Sequence, residues 1–193
     1  TRRGLMSFPL GLENGAPIVE LEDVKVYFDR GIRYVTLTHG RDNHICDSSY
    51  DTTGTWGGLS PYGVELVKEM NRVGMIIDVS HISDRAFYQV LEHTSVPVLA
   101  THSSCRAFTP GWERNMSDDM IAALARNGGV MMVNFGSDFL DAEVSAARKS
   151  FKKDLLAHLE ALGLSESDEE AAPAIDTFRK NYPTIYADVK HVA

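Results

Sequence analysis

Met75-Ile-Ile-Asp-Val-Ser-His81 is an apolar run that closes on an imidazole, and the rest of the chain repeats its form. Downstream, Val96-Pro-Val-Leu-Ala-Thr-His102 ends the same way. Upstream, Gly31-Ile-Arg-Tyr-Val-Thr-Leu-Thr-His39 ends on another imidazole, and Leu5-Met-Ser-Phe-Pro-Leu-Gly-Leu-Glu13 ends on a carboxylate. A fifth run, Gly129-Val-Met-Met-Val-Asn-Phe135, has the form without a strong ligand. Strands that are apolar along their length are buried on both faces, as in a parallel sheet covered by helices. In α/β barrels and open α/β sheets, chemistry collects at the carboxyl ends of such strands. One carboxylate and three imidazoles at successive strand ends therefore point to a metal-assisted site.

Helical patterns fill the intervals. Glu20 to Arg30 puts Leu21, Val24 and Phe28 on one face, with Gly31 as the stop. Ser60-Pro61 supplies a cap and a proline at the first helical position, and Leu66, Val67, Met70 and Val73 form a stripe that ends at Gly74. Ser83-Asp84 opens a helix through Phe87, Val90 and Leu91; Ser117-Asp118-Asp119 opens another through Met120, Ile121 and Leu124. Strand and helix alternate, the signature of βαβ units with right-handed crossovers and a parallel sheet. Two long loops, Gly40 to Leu59 and Cys105 to Asn115, follow His39 and His102, where such loops shape or cover a substrate site. Beyond Phe139 the pattern changes to an amphipathic helix over Ala146 to Gly163, an acidic turn over Ser165 to Glu170, and a loop into a helix over Phe178 to Ala193.

At 193 residues, 44% hydrophobic and 24% charged, the chain can build one sizeable core. It is short for a closed eight-stranded barrel, which takes about 250 residues. The net charge of −8, with no Lys/Arg cluster, argues against a nucleic-acid partner. No apolar run approaches the roughly 20 residues of a bilayer span, and Thr1-Arg-Arg-Gly4 has neither an initiator Met nor the apolar core of a signal peptide. The two cysteines, Cys46 and Cys105, can pair or stay reduced, so the compartment stays open.

Each candidate residue has a plainer reading beside the chemical one. A single histidine at a strand end is more often a packing residue than a ligand. His81 and His102 lie on neighbouring strands, however, and parallel strands about 4.8 Å apart allow two imidazoles to meet on one ion. Glu13 is either an exposed turn residue or a carboxylate able to bridge two cations. His39 is a third ligand, a group that stabilises charge on a reacting carbonyl, or a loop anchor. Asp78 suits orienting an imidazole or entering a buried hydrogen-bond network better than direct ligation. Arg114 is either a surface arginine or a two-pronged clamp for a carboxylate.

In these segments the chain closely resembles the membrane (renal) dipeptidase family of zinc peptidases. The resemblance is carried by Gly11-Leu-Glu-Asn-Gly15, Gly31 to His39, Gly58-Leu-Ser-Pro-Tyr-Gly63, Lys68 to His81, Thr101-His-Ser-Ser104 and Arg114-Asn115, in family order through most of residues 5–136. It implies a partial (β/α)8 TIM-type barrel within the α/β class, and hydrolysis of a dipeptide by a metal-bridged water. By the same resemblance Glu13, His81 and His102 are metal ligands, with Glu13 bridging. His39 is catalytic and contacts substrate, and Arg114 holds the substrate carboxylate. Two zinc ions are implied for the complete enzyme, one of them largely liganded by this chain.

The family's His-x-Asp ligand pair and its late-strand aspartate are not found in residues 1–193. The chain therefore reads as an internal portion of a longer enzyme: a single incomplete barrel domain over 1–193, with βα units over 5–140 and a helical excursion over 141–193. Two other readings stay open. One is a truncated or degenerate non-catalytic member; the other is an amidohydrolase acting on a cyclic amide or lactone. A homodimer is compatible with all three.

Overall fold

Serine hydroxyls open three helices at the positions where the sequence puts a cap. In the computed structural model, which describes residues 8–182, Ser60 accepts from the Gly63 N–H at 2.9 Å, Ser83 from Ala86 at 3.2 Å and Ser117 from Met120 at 3.3 Å. Each cap satisfies an N–H that the first turn otherwise leaves without a partner, typically worth about 1 kcal/mol. The helices that follow are α2 (Pro61–Val73), α3 (Asp84–His93) and α4 (Asp118–Arg126); α1 (Asp23–Asp29) precedes them. Gly74 ends α2 at φ 87°, a left-handed conformation that costs a residue without a Cβ nothing.

Between the helices run five strands: β1 (Leu10–Glu13), β2 (Ile32–Thr36), β3 (Ile76–Asp78), β4 (Leu99–Ser103) and β5 (Val130–Val133). All four neighbouring pairs are parallel, and the spatial order β1-β2-β3-β4-β5 equals the chain order. Each βα unit thus lays its strand beside the previous one without reversal, the progression of a TIM-type barrel, of which these strands form part. Glu13 pairs in register with Thr36, and Thr36 with Asp78, so the carboxyl ends of three strands lie level.

Helix stripes and strand faces share one core. Val35, Leu37, Leu66, Val67, Met70, Ile77, Phe87, Val90 and Ala100 are all fully buried in it. Full burial of a Leu- or Phe-sized side chain contributes about 1.5–3 kcal/mol. Burial is uneven across the sheet. On the outer strands Leu10, Val130, Met132 and Val133 remain exposed, so the apolar runs of β1 and β5 are not enclosed on both faces here.

The long segment between β2 and α2 is ordered by its own short polar side chains. Asp47 accepts from the backbone N–H groups of Trp56 and Gly58. Asp42 accepts from Ser48 and Thr55, and Asn43 from Ile45 and Cys46. The loop also touches α2 so closely that a Cβ on Gly63 would collide with the Ile45 carbonyl oxygen. Cys46 and Cys105 are both free thiols.

By its contacts the chain divides into two units, Thr1–Phe135 and Gly136–Ala193. The second holds α5 (Ser137–Leu140), α6 (Ala142–Ala161) and α7 (Ala171–Asn181) around Leu155, Leu159 and Ala171. Phe178, expected to start a loop, lies inside α7, because Ala171, Ala174, Ile175 and Phe178 recur at helical spacing and dock on α6. Likewise α6 begins at Ala142 rather than Ala146, because Asp141 caps it through the N–H groups of Glu143 and Val144. The rest of the terminal helix expected over residues 183–193, and the start of the first apolar run, lie outside the described residues.

Candidate functional site

Four successive strands deliver one side chain each to the same rim. Glu13 is the last residue of β1, His102 lies within β4, and His39 and His81 follow β2 and β3 on short extensions. Their ends converge. The Oε1 oxygen of Glu13 lies 3.4 Å from His39 Nε2, 3.2 Å from His81 Nε2 and 3.1 Å from His102 Nε2. The two late imidazoles meet Nε2 to Nε2 at 2.8 Å, and the His39 and His81 rings pack with centroids 4.3 Å apart. Glu13 and His39 are about half exposed while His81 is buried, so the cluster is rooted in the core and open on one side.

His81 is held there at a conformational cost. Its φ of 72° is in the left-handed region, where a side chain with a Cβ is strained. Neighbouring bonds fix it: the His81 carbonyl accepts from Ser49 N–H at 2.7 Å, and the preceding Ser80 N–H donates to Asp78 at 3.0 Å. Strain of this kind persists only where the surroundings over-determine it, and it concentrates at functional positions.

The electrostatics favour the neutral form of His81 and His102. Burial first, then the positive charge of Arg114 and the other two imidazoles, pushes His81 from 6.5 down to about 2. His102 is lowered by burial and by Arg114, against the pull of Asp78 and Glu13. A neutral imidazole offers a lone pair, which is what a metal ion requires.

Asp78 does not reach the cluster. It is fully buried and accepts from Thr36 and Thr101 hydroxyls, each at 2.6 Å, and from the backbone N–H groups of Ser80 and Thr101, each at 3.0 Å. This carboxylate ties β2, β3 and β4 together where the β3–β4 ladder thins to one register pair.

Arg114 comes from the loop after β4 and is buried beside the histidines, not displayed on the surface. Its guanidinium donates to Ser103 Oγ at 3.0 Å and to the His102 carbonyl at 2.6 Å, and burial lowers its pKa. Tyr50, from the other long loop, hydrogen-bonds Arg114 and lies 5.7 Å from the His81 ring, with Trp112 behind it at 6.2 Å. Arg106 pins the Arg114 loop to α3 through a paired contact with Asp84 at 2.6 and 2.7 Å. Tyr50, Thr101 and Arg106 escaped the sequence reading. A tyrosine inside a polar loop, a threonine before a histidine and a lone arginine carry no local signal of what they meet in space.

The donor set suits a cation. Tetrahedral ligands at bond lengths of about 2.0–2.1 Å stand about 3.3–3.4 Å apart. The three Glu13–histidine separations, 3.1–3.4 Å, are close to that size, while the His81–His102 contact at 2.8 Å is shorter. Glu13, His39 and His81 form a group whose ligand atoms all lie within 4.8 Å of one another.

The chain is similar to several known proteins. The family model described as membrane dipeptidase, peptidase family M19, matches residues 1–187. An uncharacterized dipeptidase of Schizosaccharomyces pombe is 41% identical over 140 residues, which are 71% of this chain and 33% of the relative. A dipeptidase of Clonostachys rogersoniana is 38% identical over 77% of this chain and 38% of its own length. Among solved structures, a probable dipeptidase of Pseudomonas aeruginosa superposes with a TM-score of 0.69 at 29% identity, covering 86% of this chain and 42% of that one. A metallopeptidase of Rhodobacter sphaeroides, solved with a phosphinate mimic of L-Ala-D-Ala, gives a TM-score of 0.62 at 25% identity, covering 73% and 41%. The chain thus spans about a third of the length of these curated relatives, 33% and 38%.

Proposed function

Because this chain belongs to the membrane dipeptidase family, peptidase family M19, we propose that its rim cluster serves a zinc-dependent dipeptidase. In this reading Glu13, His81 and His102 hold a zinc ion. A carboxylate has two oxygens, so Glu13 can also bridge to a second ion. Bound zinc would polarise the scissile carbonyl and make a water nucleophilic near neutral pH.

The chain's own groups supply the rest. His39, half exposed and 3.4 Å from Glu13, faces the open side and contacts the substrate carbonyl as negative charge develops on its oxygen. Arg114 supplies the buried positive charge that favours a substrate ending in a free carboxylate, which selects a dipeptide over a longer chain. Tyr50, bonded to Arg114, helps hold that guanidinium in place. Burial around His81 and His102 keeps both from taking a proton that would displace the ion.

The observation that carries this reading is the convergence of three imidazole nitrogens on one Glu13 oxygen at 3.1–3.4 Å. It is tested by measuring zinc content and hydrolysis of a panel of free and C-terminally amidated dipeptides. His81→Ala should lose zinc. Equal zinc content in His81→Ala and the unaltered chain would refute the ligand assignment, and equal rates on amidated dipeptides would refute the carboxylate clamp.

A further inference from the structure

We infer that Asp78, acting through the Thr101 hydroxyl, is the positioning residue that holds His102 as its Nδ1–H tautomer with the Nε2 lone pair turned toward Glu13. The value of this to the site rests on the zinc reading above; the hydrogen-bond argument itself does not. Asp78 has no solvent contact, and each of its oxygens is committed. One takes the N–H groups of Ser80 and Thr101, which can only donate. The other lies 2.6 Å from both the Thr36 and the Thr101 hydroxyls. A carboxylate is acceptor-only, so both hydroxyls point their hydrogens at it.

A threonine hydroxyl has a single hydrogen. With that hydrogen on Asp78, Thr101 Oγ1 can only accept from its remaining neighbour, His102 Nδ1, at 2.7 Å. Nδ1 must then carry the N–H, and in a neutral imidazole Nε2 is left with the lone pair. That bare nitrogen is the atom 3.1 Å from the Glu13 oxygen and 2.8 Å from His81 Nε2. A lone pair 3.1 Å from a carboxylate oxygen, with no hydrogen between them, is an arrangement that a cation relieves.

The same network fixes the ring's position as well as its proton. Ser80 Oγ accepts the His102 backbone N–H at 3.1 Å, and Ser80 is itself bonded to Asp78. One buried carboxylate therefore sets the loop carrying His81 and the proton on His102 together. Metal-bound histidines are commonly oriented by a carboxylate or carbonyl on the far ring nitrogen, and loss of such a partner costs about 10- to 100-fold in metal affinity. Here a threonine hydroxyl stands between the carboxylate and the ring.

The test reads the imidazole directly, on the metal-free full chain with 15N-labelled histidine, by long-range proton–nitrogen correlation near pH 7.5. His102 should show a protonated Nδ1 and a bare Nε2, and Thr101→Ser should keep that pattern. Thr101→Val, of similar shape without the hydroxyl, should lose it. Asp78→Asn should invert it: the amide NH2 donates to Thr101, whose own hydrogen then turns to Nδ1 and leaves the proton on Nε2. Zinc affinity, measured by competition with a coloured chelator, should fall about 10-fold or more in Thr101→Val and stay within about threefold in Thr101→Ser. A wild-type His102 protonated on Nε2 would overturn the inference whatever the zinc result. So would a Thr101→Val chain that binds zinc as the wild type does. If the tautomers behave as described but the wild type takes up no zinc, the zinc reading fails and the hydrogen-bond assignment stands.

Discussion

Replacing His81 with glycine should leave a more stable chain than replacing it with alanine, although both remove the same imidazole. The comparison isolates the backbone. Either change abolishes the ring contacts to His39, Tyr50 and His102 and the approach to Glu13, so those losses cancel. What remains is the φ of 72°. Holding a residue with a Cβ in the left-handed region costs about 1–2 kcal/mol. Glycine escapes that cost but brings a more flexible unfolded chain, which offsets about 0.4–1 kcal/mol. Taken at their midpoints these leave about 0.8 kcal/mol in favour of glycine. Urea unfolding of the metal-free proteins, compared through their midpoints at a shared slope, resolves a difference of that size better than extrapolated stabilities do. An alanine variant as stable as the glycine variant, or more so, would refute the claim that His81 is strained.

Acidification should destabilise the metal-free chain from about pH 6.5 downward. His81 falls to about 2 in the folded state against 6.5 unfolded, so between those values the unfolded chain binds more protons and stability rises with pH. The lowered His102 acts in the same direction, and denaturant midpoints from pH 8 to 5 check the slope. Arg114→Lys should raise KM for a free dipeptide while zinc content holds, since a lysine keeps the charge but not the planar fork; steady-state kinetics beside metal analysis decide it. Leu66→Ala, at a fully buried position on α2, should cost about 2–5 kcal/mol by urea unfolding, with a much smaller loss showing that the site collapses around the cavity.

What the sequence made legible was whatever depends on neighbours along the chain. The Ser60, Ser83 and Ser117 caps, the stripes of α2, α3 and α4 and the five apolar runs are local patterns, and each appears as an element. Glu13, His39, His81 and His102 were legible as strand-end residues because parallel βα units bring successive strand ends to one rim. The left-handed turn at His81 was hidden, since it is fixed by the Ser49 bond to the His81 carbonyl and the Ser80 bond to Asp78 and not by a glycine in the sequence. Asp78 was legible as a residue that orients an imidazole or enters a buried network, but its route to His102 through Thr101 was hidden, because that link spans two strands. At Phe178 the error ran the other way. Ala171, Ala174, Ile175 and Phe178 have helical spacing along the chain, immediately after the acidic stretch Ser165 to Glu170.

The same division applies to burial. Apolar runs identified β1 and β5 as strands, yet Leu10, Val130 and Met132 stand exposed, because enclosure depends on what lies beside a strand and not on its own composition. The polar loop over residues 37–60 shows the converse. Its order comes from Asp42, Asn43 and Asp47 gripping nearby N–H groups, and short polar residues of this kind give the same pattern in a disordered loop.

Zinc-edge X-ray absorption on the zinc-loaded chain reads the ligands of the ion themselves. The first shell should be nitrogen and oxygen at about 2.0–2.1 Å with the multiple scattering of two imidazoles, lost in part when His81 or His102 is replaced. A shell of water oxygens alone, or a sulfur at about 2.3 Å from Cys46 or Cys105, would contradict the assignment of Glu13, His81 and His102 as ligands.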